Sequence, residues 1–222
     1  GLILAPGLVD LYSHSGEPGY EDRETLVSLA AAARAGGFAQ VGILPDTQPP
    51  LDGLAEIEWL HRSLPPQAPE FALWGSLTRG GKGEQMSELA ELAGGEVIGF
   101  NETVSLCNLG LLRRGLDYLQ PLGKPIALWA RDEKLSNQGV MREGQLSFQT
   151  GLPGDPALSE TSAIAAILEL VATTETPVHL MRISTARSVA LIAEAKARGV
   201  PVTASTPWMH LLLNTAAVTN YD

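Results

Sequence analysis

The sequence predicts an α/β fold of the (β/α)8 barrel class, in an incomplete form with about seven β/α units. Short apolar and β-branched runs alternate along the chain with longer segments of helical periodicity, which is typical of parallel strands joined by crossover helices. Polar side chains follow the ends of these strands, as they do in barrels that assemble a site at one end. The two patterns together predict the architecture and the place of its chemistry.

Each element is predicted from its own local pattern. The strands are short runs rich in apolar and β-branched residues, at 7–13, 40–45, 71–77, 96–101, 125–130, 177–183 and 201–205. The helices are segments in which apolar residues recur at helical spacing, at 22–36, 53–64, 84–93, 109–120, 159–174 and 185–198. Residues able to cap a helix start are Asp22, Ser159 and Ser184 or Thr185, and the residues expected to stop helices are Gly36, Gly123 and Gly199.

A doubly wound sheet would show the same alternation of strands and helices. No Gly-rich phosphate loop follows the first predicted strand, so the main signature of the dinucleotide-binding version is missing. The polar residues at the strand ends favour the barrel instead; they are His14, Glu17, Asp46, Gln48, Asn101, Glu102, Arg131, Asp132, Arg182, Ser184, Trp208 and His210. A barrel with one strand missing is the architecture we expect.

Composition limits the classes of protein that the chain can belong to. Its 222 residues, 45% of them hydrophobic, are enough to bury a full core, and we expect one domain over 1–222. A formal net charge of −10 with scattered basic residues argues against nucleic acid as a partner. The single Cys107 excludes an internal disulfide framework, and no apolar run approaches the roughly 20 residues that span a bilayer. These features predict a soluble, cytoplasmic chain without a membrane partner.

Four stretches of the sequence resemble one known family. They read PGLVDLYSHSGEPGYEDRET, AAARAGGFAQVGILPDTQPP, GVMREG and STARSVALIAEAKARGVPVTA, and are similar in order and spacing to the dihydroorotases, the cyclic amidohydrolases of pyrimidine synthesis. The resemblance implies a barrel of the metal-dependent hydrolase type that binds one or two zinc ions and interconverts carbamoyl aspartate and dihydroorotate. It also implies that an N-terminal β segment, the eighth strand and a C-terminal part are absent from this chain.

Most zinc ligands that the resemblance implies are replaced here. The family's first strand ends in His-x-His, whereas this chain has Tyr12 and His14. Trp129 stands in place of the fifth-strand histidine and Arg182 in place of the sixth-strand histidine. An indole cannot coordinate a metal and a guanidinium cannot lose its proton to do so. His14 and Glu102 remain only as weak metal candidates, so we expect no bound zinc and no catalytic residue.

The positions that the resemblance assigns to the substrate have changed as well. Gly16 stands where the family has an arginine that binds the substrate carboxylate bidentately. Asp46 replaces an asparagine, which would repel an anionic substrate. Changes at both the metal and the substrate positions argue against a simple exchange of one metal for another.

Simpler interpretations account for several of these side chains. We interpret His14 as a hydrogen-bonded histidine of the barrel mouth, and Trp129 and Trp208 as fillers of space left by metal and water. Arg131 and Arg182 are interpreted as partners of nearby acids, namely Glu102, Asp46 or Asp10. The alternatives are an aromatic binding wall for the tryptophans and an anion site for the arginines.

Three functions are compatible with these features of the sequence. The favoured one is a dihydroorotase-like protein without hydrolytic activity that acts as a structural or regulatory partner. In the family, such members associate with aspartate transcarbamoylase, and self-association is the other option. The second is an active cyclic amidohydrolase with an atypical or metal-free site that hydrolyses dihydroorotate to carbamoyl aspartate. The third is a small-anion binding protein that uses Arg131 and Arg182.

Overall fold

A computed structural model describes residues 3–66, 69–102, 105 and 108–219. The contacts divide the chain into two compact units, unit 1 at Gly1–Thr103 and unit 2 at Val104–Asp222. Each unit consists of parallel strands with their helices, and the single domain expected over 1–222 stays a prediction. Cys107, on which the expected reducing compartment depends, lies outside the described residues.

Unit 1 contains a parallel sheet whose strand order follows the chain. Its strands are β1 (Leu8–Ser13), β2 (Phe38–Ile43), β3 (Glu70–Ser76) and β4 (Val97–Glu102), in the order β1-β2-β3-β4. Its helices are α1 (Leu26–Ala35), α2 (Leu54–Ser63) and α3 (Leu89–Gly94). Parallel strands in sequential order bring their carboxyl ends to one edge of the sheet, which is where the predicted site residues of this unit lie.

The first helix begins later than the sequence indicated. Asp22 was expected to cap it, but Thr25 is the N-cap, and Thr25 and Ser28 form a reciprocal capping box. Glu17 adds a third contact, because its carboxylate accepts the backbone N–H of Leu26 at 2.8 Å. The prediction of Asp22 as the cap is therefore wrong, whereas the predicted stop at Gly36 is confirmed.

Unit 2 combines a three-stranded sheet with a small two-stranded ladder. The sheet has the order β5-β8-β9, from β5 (Ile126–Leu128), β8 (Val178–Leu180) and β9 (Val202–Ala204). The ladder pairs β6 (Met141–Arg142) with β7 (Gly154–Asp155). The helices are α4 (Leu109–Leu119), α5 (Glu133–Ser136), α6 (Gln145–Thr150), α7 (Ala157–Thr174), α8 (Ala186–Ala197) and α9 (Trp208–Leu212). The seven predicted strands match β1 to β5, β8 and β9, and the elements not predicted are β6, β7, α5, α6 and α9.

Helix α7 is long and apolar, with 18 residues and a mean hydropathy of 1.3, so by length and composition alone it could cross a membrane. No apolar segment so close to that limit was expected. Within unit 2, however, α7 packs against α4 and α8, and Ile164, Leu168 and Val171 are buried. This pattern is that of a core helix.

The helix caps of unit 2 are partly as expected. Helix α7 begins at Ala157 after Pro156, so Ser159 is not its N-cap; the Ser159 hydroxyl donates to Asp155 at 2.6 Å instead. Thr185 is the N-cap of α8 and accepts the backbone N–H of Ser188, which confirms one of the two predicted caps.

Helix α4 offers a matched pair of leucines to test its packing. Leu112 is fully buried, whereas Leu109 on the same helix is 43% exposed. We expect Leu112→Ala to lower the free energy of unfolding by roughly 2–5 kcal/mol, because it leaves a cavity in the core. Leu109→Ala is expected to change it by no more than about 0.5 kcal/mol. Urea denaturation followed by circular dichroism measures both, and equal losses would contradict the described packing of α4.

Candidate functional site at the strand ends

The eight predicted site positions divide between the two units. Unit 1 carries Tyr12, His14, Gly16, Asp46 and Glu102, and unit 2 carries Trp129, Arg131 and Arg182. All of them lie at or just beyond the carboxyl ends of strands. The predicted positions therefore share the carboxyl ends of their strands.

Tyr12 is packed as an aromatic residue. Its ring stacks on Trp74 of β3, with the ring centroids 5.5 Å apart, and the Trp74 indole N–H donates to the carbonyl of Leu11 at 2.9 Å. Burial raises the pKa of the Tyr12 phenol above its ordinary value. The phenol is thus protonated at neutral pH and is a poor metal ligand. Trp74 was not anticipated, and only its place in an apolar strand could have indicated it.

His14 contacts the acid that follows the second strand. Its Nδ1 lies 2.5 Å from Asp46 Oδ2, and the His14 side chain is 59% exposed. The other carboxylate oxygen of Asp46 is buried and has no hydrogen-bond partner among the described residues. A carboxylate at Nδ1 orients the imidazole and selects its tautomer. The expected hydrogen-bonded histidine is confirmed, with Asp46 as its partner.

The loop after β1 is closed tightly around Gly16. A Cβ atom at this position would lie 2.4 Å from the Glu24 carbonyl oxygen and 2.8 Å from that of Tyr20. The Gly16 carbonyl also accepts the Tyr20 N–H at 2.6 Å. No room exists here for the arginine that the resemblance implies, so the change to glycine involves the loop backbone as well as one side chain.

The acids of β1 and β4 lie in different surroundings. Asp10 accepts the Tyr12 backbone N–H at 3.0 Å and the Ser13 hydroxyl at 2.9 Å, so its hydrogen bonds are local to β1. Glu102 is 1% exposed at the end of β4, beside the equally buried Asn101. Glu102 is therefore buried at the end of β4, whereas Asp10 stabilises the end of β1 through hydrogen bonds to its own strand.

In unit 2 the indole of Trp129 is flanked by two positive charges. The guanidinium of Arg182 lies 4.9 Å from the ring centroid and that of Arg131 lies 5.2 Å from it. Both distances are within the range of cation–π attraction. Arg182 also has a φ of 59°, in the left-handed region that non-glycine residues rarely adopt. Its position over the indole is therefore maintained against a backbone preference.

Within unit 2, Asp155 is the acid that Arg131 contacts, and the pairing expected between Arg131 and Glu102, Asp46 or Asp10 stays a prediction. The Asp155 Oδ2 lies 3.7 Å from Arg131 Nε and 3.6 Å from a terminal nitrogen of Arg142. Arg142 and Asp155 face each other in the register of β6 and β7, which explains their proximity. Glu102, Asp46 and Asp10 belong to unit 1, so the ion pair expected between one of them and Arg182 stays a prediction.

Glu160 connects the arginines to the start of α8. Its carboxylate accepts the hydroxyl of Ser184 at 2.5 Å and the backbone N–H of Thr185 at 3.1 Å, and it lies 3.8 Å from Arg142. Burial acts to raise the pKa of Glu160, but the hydrogen bonds from Ser184 and its neighbours outweigh burial and hold the pKa below its ordinary value. The sequence did not predict three residues near this position, which are Arg142, Asp155 and Glu160. Only Arg142 could have been singled out, because it is the arginine of the GVMREG stretch that resembles the family.

The residues at the expected metal positions do not fit zinc. Across residues 3–66, 69–102, 105 and 108–219, no group of three or more His, Cys, Asp or Glu residues is placed to hold a metal ion. In unit 1, Tyr12 is a protonated phenol, and in unit 2, Trp129 offers an indole beneath two guanidiniums. Trp208 is 66% exposed, so the expectation that it fills vacated space is wrong.

Comparison of the sequence with known proteins identifies close relatives. Residues 1–188 match the family model described as dihydro-orotase-like. A "Probable dihydroorotase-like protein" of Synechocystis sp. is 47% identical over 98% of this chain and 54% of its own length. A dihydroorotase of Pelotomaculum thermopropionicum is 39% identical over 100% of this chain and 52% of its own length. The chain thus spans about half the length of the curated relatives it matches.

Solved structures show the fold. An L-hydantoinase from Arthrobacter aurescens matches 95% of this chain and 49% of its own, with a TM-score of 0.75 and 22% identity. A Saccharomyces cerevisiae dihydroorotase in complex with 5-fluoroorotic acid matches 96% of this chain and 59% of its own, with a TM-score of 0.70 and 17% identity. The predicted fold class, an incomplete (β/α)8 barrel, is confirmed.

Gly16 and Gly94 form a matched pair for testing the loop. We expect Gly16→Ala to lower the free energy of unfolding by roughly 1–3 kcal/mol, because the added methyl group meets backbone atoms that cannot move independently. At Gly94, in α3, a Cβ would meet nothing within 4 Å, so Gly94→Ala should leave the free energy of unfolding unchanged or raise it. Thermal melting of both variants tests this, and a neutral Gly16→Ala would show that the loop is open.

His179 predicts a pH dependence of stability. Both of its ring nitrogens lie 2.8 Å from hydroxyls, those of Thr203 and Ser205, and burial lowers the pKa to about 4. Because the folded state holds the neutral ring, stability is complete above the ordinary pKa of about 6.5 and is lost as the pH falls toward 4. We expect the melting temperature to fall across this window by less in His179→Gln than in the native chain. Equal falls in both would exclude His179 as the cause.

Proposed function

The chain belongs to the dihydroorotase-like family, and from that premise we propose that it is a member without hydrolytic activity that acts as a structural or regulatory partner in pyrimidine metabolism. Its relatives named dihydroorotase are about twice as long, and the activity in their names is not assigned to this chain.

The observation that carries the proposal is the environment of Trp129. The resemblance assigns this position to a zinc ligand, but the side chain is an indole with the guanidiniums of Arg131 and Arg182 within 5.2 Å of its centroid. Zinc needs imidazole, thiolate or carboxylate ligands. A divalent cation at this point would lack a ligand and would be repelled by two permanent positive charges.

Unit 1 supports the proposal independently. Tyr12 is stacked on Trp74, and burial raises the pKa of its phenol, so the loss of a zinc ligand there is accompanied by aromatic packing. Gly16 lies in a loop without room for a side chain. Tyr12, at the position that the resemblance assigns to a zinc ligand, and Gly16, at the position that it assigns to the substrate arginine, are therefore both unsuited to those roles.

A structural or regulatory role requires a partner. We propose aspartate transcarbamoylase or a second copy of this chain, of which the first follows from the family resemblance. Residues exposed in unit 2 offer apolar surface for such an association; they are Trp208, Leu211, Leu212 and Leu213, all more than half exposed. Size-exclusion chromatography of the chain with and without aspartate transcarbamoylase distinguishes the two partners.

We expect the chain to bind no stoichiometric zinc and to hydrolyse no dihydroorotate, even when zinc is supplied in excess. Elemental analysis after dialysis, together with an assay of dihydroorotate hydrolysis, measures both. Tyr12→His, which places a second imidazole two residues from His14 on the same strand face, is the matched comparison and should retain more zinc. One zinc ion per native chain that is lost in His14→Asn would overturn the proposal.

One observation favours the alternative, an active amidohydrolase with an atypical site. The 2.5 Å contact between His14 and Asp46 is the arrangement in which a carboxylate orients a general base. Such a base could activate water without a metal. Hydrolysis of dihydroorotate that resists a chelator and disappears in both His14→Asn and Asp46→Asn would establish this function in place of the proposed one.

A further inference from the structure

A histidine of β8 lies between two hydroxyls from the end of the neighbouring strand. His179 is the register partner of Thr203 in β9. Ser205 follows two residues later, so its side chain lies on the same face as that of Thr203. The ring nitrogens of His179 are each 2.8 Å from a hydroxyl oxygen, Nδ1 from that of Thr203 and Nε2 from that of Ser205. These three hydrogen-bonded side chains are called the Ser-His-Thr row below.

The row contains the groups that activate a hydroxyl as a nucleophile. A neutral imidazole carries one ring proton, so it donates to one hydroxyl and accepts from the other. When Nδ1–H of His179 donates to Thr203, Nε2 accepts the hydroxyl proton of Ser205. A nucleophile, a base within about 2.6–3.2 Å of it and a third group that orients the base are the parts of such a site. Ser205 is the better nucleophile of the two, because its primary hydroxyl is less hindered than the secondary hydroxyl of Thr203.

The imidazole of the row is able to accept a proton at neutral pH, and solutes can reach it. Burial lowers the pKa of His179 to about 4, so the ring is neutral under physiological conditions. Thr203 is exposed, and His179 and Ser205 are partly exposed. A ring with so low a pKa is a weak base, and it therefore suits a substrate with a good leaving group. Aryl esters have this property, whereas amides do not.

The backbone fixes Ser205 beside the end of β8. Its N–H donates to the carbonyl of Leu180, and its own carbonyl accepts the N–H of Ile183, both at 3.0 Å. The Ile183 carbonyl also accepts the Thr206 hydroxyl at 2.7 Å, which ties the segment before α9 to the same strand end. Helix α9 begins at Trp208, whose indole is mostly exposed. An aromatic surface thus follows Ser205 closely along the chain, and aromatic side chains pack well against aryl groups.

We propose that Ser205 is a nucleophile that accepts the acyl group of aryl esters, with His179 as its base and Thr203 as a positioning residue. The Ser205 oxygen attacks the ester carbonyl carbon, and the hydroxyl proton passes to His179 Nε2. The bond from that carbon to the phenol oxygen then breaks, and the leaving phenolate takes up the proton. An O-acyl serine remains, with no oxidation or reduction. No residue at the implied metal or substrate positions takes part, so the proposal goes beyond the proposed function.

The proposal is tested by incubating the whole chain with p-nitrophenyl acetate and locating the acetylated residues over time by mass spectrometry of peptides. Ser162 is the internal control, because it is also a partly exposed serine of unit 2, but its hydroxyl donates to the Leu158 carbonyl at 2.8 Å instead of to an imidazole. We expect Ser205 to be acetylated at least about tenfold faster than Ser162, because only Ser205 has a base within reach. Equal rates at the two serines, or acetylation of Thr203 in place of Ser205, would overturn the proposal.

Variants of the row separate the base from its positioning residue. His179→Gln removes the base and should slow acetylation of Ser205 about tenfold or more. Thr203→Val removes the partner of Nδ1 and should slow acetylation by a smaller factor, and Thr203→Ser should restore the native rate. An unchanged rate in His179→Gln, or a loss in Thr203→Val that Thr203→Ser shares, would contradict the assigned roles. If a variant does not fold, the comparison of Ser205 with Ser162 in the native chain still decides. Zinc binding or hydrolysis of dihydroorotate would refute the proposed function without altering this comparison.

Discussion

Asp155 presents one carboxylate oxygen to both Arg131 and Arg142, and much of unit 2 is arranged around this shared charge. Positive charge that is mostly removed from water must be compensated by nearby acids. The β6–β7 ladder places Arg142 opposite Asp155, and the other oxygen of Asp155 accepts the Ser159 hydroxyl in the first turn of α7. Glu160, the next residue, connects that turn to the start of α8. One charge requirement thus links two strands and two helices.

In unit 1, aromatic packing and hydrogen bonds hold the ends of the strands and the start of α1. Tyr12 packs on Trp74, and Glu17 holds the first backbone N–H of α1. The contact between His14 and Asp46 joins the ends of β1 and β2. The strand ends of the two units are therefore organised in different ways, with aromatic and loop packing in unit 1 and with arginines and shared acids in unit 2.

The sequence predicted the strands more completely than the contacts of the site. All seven predicted strands were found, because each is a short run rich in apolar or β-branched residues. Asp155 could not be predicted as the partner of Arg131, since it lies in a strand of two residues that carries no periodicity. Asp22 looked like the cap of α1, but the chain turns once more before Thr25, and a cap is decided by backbone geometry as well as residue type. The closure around Gly16 depends on carbonyls several residues away, which composition does not reveal.

The crowding at Gly16 also bears on how this sequence can change over generations. The Glu24 carbonyl oxygen occupies the space, 2.4 Å from where a Cβ would stand, so an arginine introduced by a single codon change would meet backbone before it could reach any ligand. A larger side chain at this position would require the loop backbone to move first. The shape of this loop therefore limits which substitutions position 16 can accept in a single step.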